Sequence, residues 1–200
     1  MKTLLAVNTT GGRCSVAVGS SQLILAESNF AAEKGHSEIL IPMIEGTLHK
    51  SRTTLKELAG FLVCSGPGNY TSLRIAISAV RGFALAIKKP AIGISVFELL
   101  AEKEKNCLVI VQGPMGKVYI QKFCDTQKIS DPKLVIFEDL LTNKALCKFF
   151  IVGFQAEKVS NAIGSIGYTE NTNISFKKFL SLGQSRLSLY NLRPSPLYIK

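Results

Sequence analysis

Residues 60–95 constrain this chain more than any other stretch. A short apolar strand, GFLVCS, enters the turn Gly66-Pro67-Gly68, a helix-length segment follows over residues 71–88, and Lys-Lys-Pro closes it ahead of a second short strand, AIGIS. The helical segment carries Leu73, Ile75, Ala76, Ile77, Ala79, Val80, Phe83, Ala84, Leu85, Ala86 and Ile87, with Arg74 and Arg81 its only charges before Lys88. A helix with so little polar face is expected to be buried on most of its sides. Its small residues, among them Ala76, Ala79, Gly82 and Ala84, permit close approach of a second helix, from the chain's own core or from a partner subunit. Strand, helix and strand in that order predict a right-handed crossover onto a parallel pair, and so an α/β fold.

Upstream, residues 3–30 read as an antiparallel meander, TLLAVN, CSVAVG and LILAESNF, jointed at Thr-Thr-Gly-Gly and Gly-Ser-Ser-Gln. From Ser37, Leu40, Met43, Ile44 and Leu48 recur at helical spacing, with Pro42 either kinking that helix or falling near its first turn. VFELLAEKEK predicts a further helix, and LVIVQG with GKVYIQKFC predicts a hairpin that opens a second sheet. Then come a strand at LVIF, a helix at EDLLTNKAL, a strand at FFIVGF, a helix over residues 156–163, a polar stretch, a helix over residues 184–192 and a terminal strand, PLYIK. Two α/β lobes follow, residues 1–103 and 104–200, whose shared hairpin-then-helix order suggests structural duplication.

With 46% hydrophobic and 19% charged residues and a mean hydropathy of +0.24, the 200 residues support one good core or two small ones, which argues against disorder, collagen and coiled coil. No apolar run reaches the roughly 18 uncharged residues of a membrane helix, and the run after Lys2 is too short for a secretory signal, so a cytoplasmic protein is expected. Cys14, Cys64, Cys107, Cys124 and Cys147 stand far apart without a C-x-x-C pair. They read as small hydrophobes in a reducing compartment, not as a disulfide framework or zinc site.

Lys and Arg number 24 against 14 Asp and Glu, a net charge of +10 shared by both halves, 10 against 6 in residues 1–100 and 14 against 8 in residues 101–200. So diffuse an excess reads as a solvated surface, with salt-sensitive attraction to RNA, DNA or anionic lipid as the alternative; no aromatic-interleaved motif for base readout accompanies it. The first 124 residues contain no Asp.

The candidate functional loop is Gly66, Pro67, Gly68, Asn69, Tyr70 and Thr71, within SGPGNYTSLR. Its glycines permit positive φ and close backbone approach, Thr71 or Ser72 can cap the helix, and N–H groups at the helix start suit an anion. Against the phosphate-binding pattern G-x-x-x-x-G-K-[ST], the Lys and the final spacing are missing and this lobe has no Asp for magnesium, so a structural turn is favoured over an ATP cradle. Asn8 ends the first strand where sugar-kinase-like and actin-like folds carry an Asp, and an amide supplies neither the charge nor a general base. His36 and His49 lack partners at metal-ligand spacing, and no G-x-S-x-G elbow marks a nucleophile, so no metal site and no catalytic residue is assigned.

GPGNYTSLRIAISAVRGFALAIKKPAIGIS resembles the GPGSFTGLRIG…GLA…P-x-x-GVS block of the TsaB (YeaZ) family, the partner subunit of bacterial tRNA threonylcarbamoyladenosine synthesis. LLAVNTT is similar to that family's LAIDTS strand, GHSEILIPMIEGTL to its E-H-S-x-x-L-x-P-x-I-x-x-L helix, GPMGKVYIQKF to its D-A-R-x-G-E-V-Y-x-A-x-F hairpin, and SPLYIK to its P-x-Y-L-R strand. The resemblance covers residues 4–124 and the last six. It breaks at Asn8 for Asp, Asn69-Tyr70 for Ser-Phe, Ser72 for Gly, and Gln112-Gly113-Pro114 for Asp-Ala-Arg.

The resemblance implies a two-lobed actin-like ATPase (ribonuclease H-like) fold, mixed sheets flanked by helices, without ATPase activity of its own. It implies a heterodimer with TsaD, the threonylcarbamoyl transferase subunit, the TsaE ATPase as a further partner, tRNA reached through the complex, and a homodimer when alone. No cofactor is expected on this chain alone, with ATP or ADP at the complex interface. In the family the helices matching residues 37–48 and 73–88 form the interface, which here assigns it to His36, Leu40, Met43, Ile44, Leu73, Arg74, Ala76, Ile77, Val80, Arg81 and Ala84. On that reading the protein is a noncatalytic scaffold, and Ala79→Glu or Val80→Glu abolishes partner binding with the fold intact. The alternative is an ATP-dependent or peptidase-like enzyme of the same superfamily; a third reading is direct tRNA binding driven by charge.

Overall fold

The computed structural model describes residues 2–31, 35–103, 106–188 and 193–199. The meander forms as the alternation predicts. β1 (Leu4–Asn8) pairs antiparallel with β2 (Arg13–Gly19), and β2 with β3 (Ile24–Ala31). After α1 (His36–Ser51), which carries Pro42 inside it, β4 (Gly60–Cys64) lies parallel to β1. The crossover helix α2 (Tyr70–Ala86) then returns the chain to β5 (Ala91–Ile94), parallel to β4, giving the order β3-β2-β1-β4-β5. β1 and β4 are buried at every residue. Strands covered on both faces have no solvent side to mark with polar residues, which is why LLAVN and GFLVC run almost unbroken.

α3 (Val96–Leu100) leads to the second sheet. The hairpin β6 (Cys107–Gln112) and β7 (Lys117–Cys124) forms as expected, followed by β8 (Gln127–Lys128) and β9 (Lys133–Ile136), both antiparallel to β7. α4 (Phe137–Thr142), β10 (Phe150–Gly153) parallel to β6, α5 (Ala156–Ile163), β11 (Tyr168–Thr169) parallel to β10, and α6 (Phe176–Ser185) follow. Each sheet thus takes a hairpin, adds a third antiparallel strand, then returns parallel to its first strand by way of helices. The suggested duplication is present in the topology.

The chain divides into two compact units, Met1–Ser95 with Ile174–Leu197, and Val96–Asn173 with Tyr198–Lys200. The sequence pattern predicts a joint at 103/104 with everything beyond it in the second lobe, whereas α6 belongs to the first unit. In that unit one sheet face packs Leu5, Val7, Val16, Val18, Phe61 and Val63 against Leu40 and Ile44 of α1 and Ala76, Ile77, Val80 and Ala84 of α2. The other face receives α6, where Gly183 lies directly against the Leu62 side chain. The second unit has its own core, in which Leu108, Ile110 and Ile151 of its sheet meet Phe137, Leu140, Val159 and Ile163 of α4 and α5.

Several expectations are corrected. The last helix is Phe176–Ser185, not 184–192: Ser175 caps it, and Phe176, Phe179, Leu180 and Gly183 face inward at helical spacing. Gly183 reads as a breaker in sequence, which displaced the prediction; residues 189–192 lie outside the described residues. Residues 193–199 form no strand, although Leu197 N donates to Ser65 O at 2.8 Å. The helix predicted at VFELLAEKEK ends at Leu100, with residues 104 and 105 outside the described ones, and Phe137 begins α4 instead of ending a strand.

α2 is not buried on most sides. Leu73, Ala76, Ile77, Val80 and Ala84 face the core, whereas Arg74, Ser78, Arg81, Gly82 and Leu85 are exposed, since nothing in the described chain covers that flank. Cys14, Cys64 and Cys107 are buried, Cys124 is half-buried and Cys147 is exposed; burial pushes the Cys14 thiol above its usual pKa. Among the described residues no helix is long and apolar enough to cross a membrane.

Val80 is fully buried between α2 and the sheet. A Val80→Glu variant is therefore expected to lose roughly 4 kcal/mol of stability and about 10 °C of melting temperature, read by circular dichroism. A Val80→Glu protein that melts like the wild type would refute this packing.

Candidate functional site

The candidate loop is built where β1 ends and α2 begins. Thr9 and Ser72 exchange hydrogen bonds: Thr9 Oγ1 donates to Ser72 O at 3.0 Å, and Ser72 Oγ donates to Thr9 O at 3.0 Å. Asn8 Oδ1 accepts from Thr10 N at 3.1 Å and from Thr10 Oγ1 at 2.7 Å, so the residue at the strand end caps its own turn. At the helix start the cap is Asn69, one of the loop candidates, in place of the expected Thr71 or Ser72; its Oδ1 accepts from Thr71 N at 3.0 Å and Ser72 N at 3.2 Å. Leu73 N closes on Asn69 O at 3.1 Å. Two of the N–H groups at this helix start, those of Thr71 and Ser72, are therefore engaged by the Asn69 side chain.

Gly66 is required by its backbone conformation, and Gly68 is closely packed. Gly66 sits at φ +100°, and a Cβ there would stand 2.8 Å from Leu73 Cδ1; one on Gly68 would stand 3.1 Å from Thr10 Cγ2. Pro67 lies between them. Tyr70 and Arg74 project outward as a pair, the guanidinium 3.9 Å from the ring centroid and donating to the phenol oxygen. Asn8, Thr9, Thr10, Asn69 and Ser72 offer amides and hydroxyls but no carboxylate, and such a set positions backbone without supplying a general base. Among the described residues no group of three or more His, Cys, Asp and Glu is placed to hold a metal ion.

The residues assigned to an interface fall into two groups. Leu40, Ile44, Leu73, Ala76, Ile77, Val80 and Ala84 are buried within the first unit, where they pack its core, and are withheld from a partner. His36 is buried at the start of α1, its Nε2 without a hydrogen-bond partner among the described residues. Met43 is half-buried, and Arg74 and Arg81 are exposed. Beside Ala79, named above as a test of docking, the fold adds Ile39 on α1 and Ile75 and Phe83 on α2; with Met43 these are half-buried apolar side chains packed against the core. Their i, i+4, i+8 spacing on α2 was visible in sequence but inseparable there from the core stripe beside it.

A second feature escaped the sequence reading. Past the end of α2 a groove of about 580 Å³ is lined by Arg81, Leu85, Lys88, Lys89, Arg193 and Pro194, with Ser78, Gly82, Ala84, Pro90 and Ala91 completing it. Lys88-Lys89-Pro90 reads in sequence only as a helix stop, and Arg193 comes from more than a hundred residues further along the chain.

The family model described as TsaD, tRNA N6-adenosine threonylcarbamoyltransferase, matches residues 30–174. The chain is 35% identical over 122 residues to the tRNA threonylcarbamoyladenosine biosynthesis protein TsaB of Buchnera aphidicola subsp. Schizaphis graminum, covering 58% of each chain. It is 30% identical over 122 residues to TsaB of Escherichia coli K12, covering 58% of this chain and 52% of that relative. The chain thus spans little more than half the length of these two curated relatives. In structure it is similar to YeaZ from Pseudomonas aeruginosa, with a TM-score of 0.79 over 100% of both chains at 20% identity, so the two share a fold.

Replacing the cap by Asn69→Ala is expected to cost about 1 kcal/mol and to lower the melting temperature by about 2–4 °C. Asn69→Asp should hold it near the wild-type value, since either side-chain oxygen can cap. Equal melting of Asn69→Ala and wild type would show that the loop does not depend on this cap.

Proposed function

From the premise that this chain belongs to the TsaD tRNA N6-adenosine threonylcarbamoyltransferase family, in its TsaB (YeaZ) branch, we propose that it is a noncatalytic subunit of tRNA threonylcarbamoyladenosine synthesis that docks TsaD and holds it in an active arrangement. The observation that carries this reading is the joint between β1 and α2. There the side chains of Thr9 and Ser72 tie the helix to the strand end, Asn8 accepts from Thr10 within its own turn, and Asn69 caps the helix. A phosphate-transferring relative needs charge and free donors at that position. ATP or ADP is accordingly held at the interface with the partner, tRNA is reached through the complex, TsaE joins as the ATPase, and the complex works in the cytoplasm.

The docking face is the half-buried seam of Ile39 and Met43 on α1 with Ile75, Ala79 and Phe83 on α2. Half-buried apolar side chains on two neighbouring helices offer a partner helix both area and grooves, while the buried interface candidates beneath them fix the seam's shape. Of the two interface substitutions that the sequence suggested, only Ala79→Glu tests docking, because a Glu stem at a half-buried position can reach water and one at Val80 cannot.

The test is the light-scattering mass of this protein mixed with TsaD from the same genome. Wild type is expected to give a one-to-one complex. Ala79→Glu is expected to weaken it at least about tenfold with an unchanged far-ultraviolet spectrum. No complex with well-folded wild type, or undiminished binding by Ala79→Glu, would overturn the reading. Magnesium-dependent ATP hydrolysis by the isolated chain, lost on Asn8→Ala, would favour the enzyme instead.

A further inference from the structure

The positive charge of this protein is segregated in space, although it looks even along the sequence. The unit of Met1–Ser95 with Ile174–Leu197 holds 14 Lys and Arg against 5 Glu and no Asp, and the remainder holds 10 against 9, so the first unit carries +9 of the +10. Part of that excess converges on the groove past the end of α2. Arg81, Lys88, Lys89 and Arg193 stand around it, and among the described residues none of the four has an ion pair or a side-chain hydrogen bond. The lining between them is apolar: Ala84, Pro90 and Pro194 are buried, and Leu85 is 81% exposed beside them. Cations without counterions in one concavity focus the field on an anion, and an exposed Leu among them favours a ligand with an apolar part.

We propose that this groove is a docking site for an acidic, leucine-containing peptide segment of another protein, its carboxylates on the four cations and its apolar side chain against Leu85, Pro90 and Pro194. Nucleic acid fits less well, because among the described residues no aromatic side chain lines the groove to stack a base and apolar residues occupy the places between the charges. A second copy of this chain fits poorly too. Its first unit is strongly positive, and its only adjacent acidic pair, Glu138-Asp139, lies on α4 between Phe137 and Leu140, both buried in the second unit's core.

The site is separate from the TsaD face. At 100° per residue, Ser78, Arg81 and Leu85 stand about a third of a turn round α2 from Ile75, Ala79 and Phe83. The inference therefore goes beyond the docking of TsaD and does not rest on it.

The experiment is fluorescence anisotropy on the full chain with a labelled octapeptide of Asp and Glu containing two leucines, at low and at physiological salt. Wild type is expected to bind it. The double variant Arg81→Glu, Arg193→Glu should bind at least about tenfold more weakly, and Leu85→Ser should bind measurably more weakly at unchanged charge. Ala79→Glu should bind like the wild type, which separates this site's failure from that of the TsaD reading. All three groove side chains are exposed, and circular dichroism confirms that the variants are folded. Absence of binding by folded wild type overturns the proposal. So does equal binding of an all-Glu peptide of the same charge, or stronger binding of oligouridylate that Leu85→Ser leaves unchanged, since these outcomes assign the groove to diffuse charge or to phosphate.

Discussion

The exchange of hydrogen bonds between Thr9 and Ser72 ties the end of β1 to the first turn of α2, and the rest of the first unit is arranged around that tie. Each bond is worth only about 1 kcal/mol net, but both residues are buried, so neither group has water to fall back on. With its start pinned, the helix has a fixed rotation over the sheet. Leu73, Ala76, Val80 and Ala84 must then face inward, and Arg74, Ser78, Arg81 and Leu85 must face away. The same tie engages the side chains of both Thr9 and Ser72 at the joint between strand and helix.

Crowding reinforces that geometry from both sides of the sheet. Gly66 and Gly68 let the loop pass Leu73 and Thr10, and Gly183 lets α6 press on Leu62. The last of these contacts joins segments more than a hundred residues apart, so the first unit is closed by the tail of the chain and is not a product of its first half alone. That closure also redistributes charge. A tail without a single Asp or Glu adds its Lys and Arg to an already basic unit, and Arg193 arrives beside Lys88 and Lys89.

Much of this was legible from the residues. Period-two alternation marked β2 and β7, continuous apolar runs marked β1 and β4, and Gly66-Pro67-Gly68 marked the strand-to-helix joint. The candidate site was legible in part. Asn8 was recognisable as a turn residue from its chemistry, and its side chain does accept from Thr10. The division along α2 was harder to read, because Ala76, Ile77, Val80 and Ala84 belong to the core whereas Ile75, Ala79 and Phe83 lie at its edge, and hydrophobicity alone does not rank the two. α6 was misplaced because Gly183 serves as a packing position in a site too close to hold any side chain.

The sequence by itself determined the order of elements, the parallel crossover through α2 and the absence of acidic groups at its start, since these follow from local periodicity, turn residues and composition. Only the tertiary structure decided which flank of α2 stays uncovered, which unit the tail completes, and that four cations from two distant segments share one groove. Those outcomes depend on contacts between residues far apart in the chain, and periodicity, which reads only near neighbours, carries no record of them.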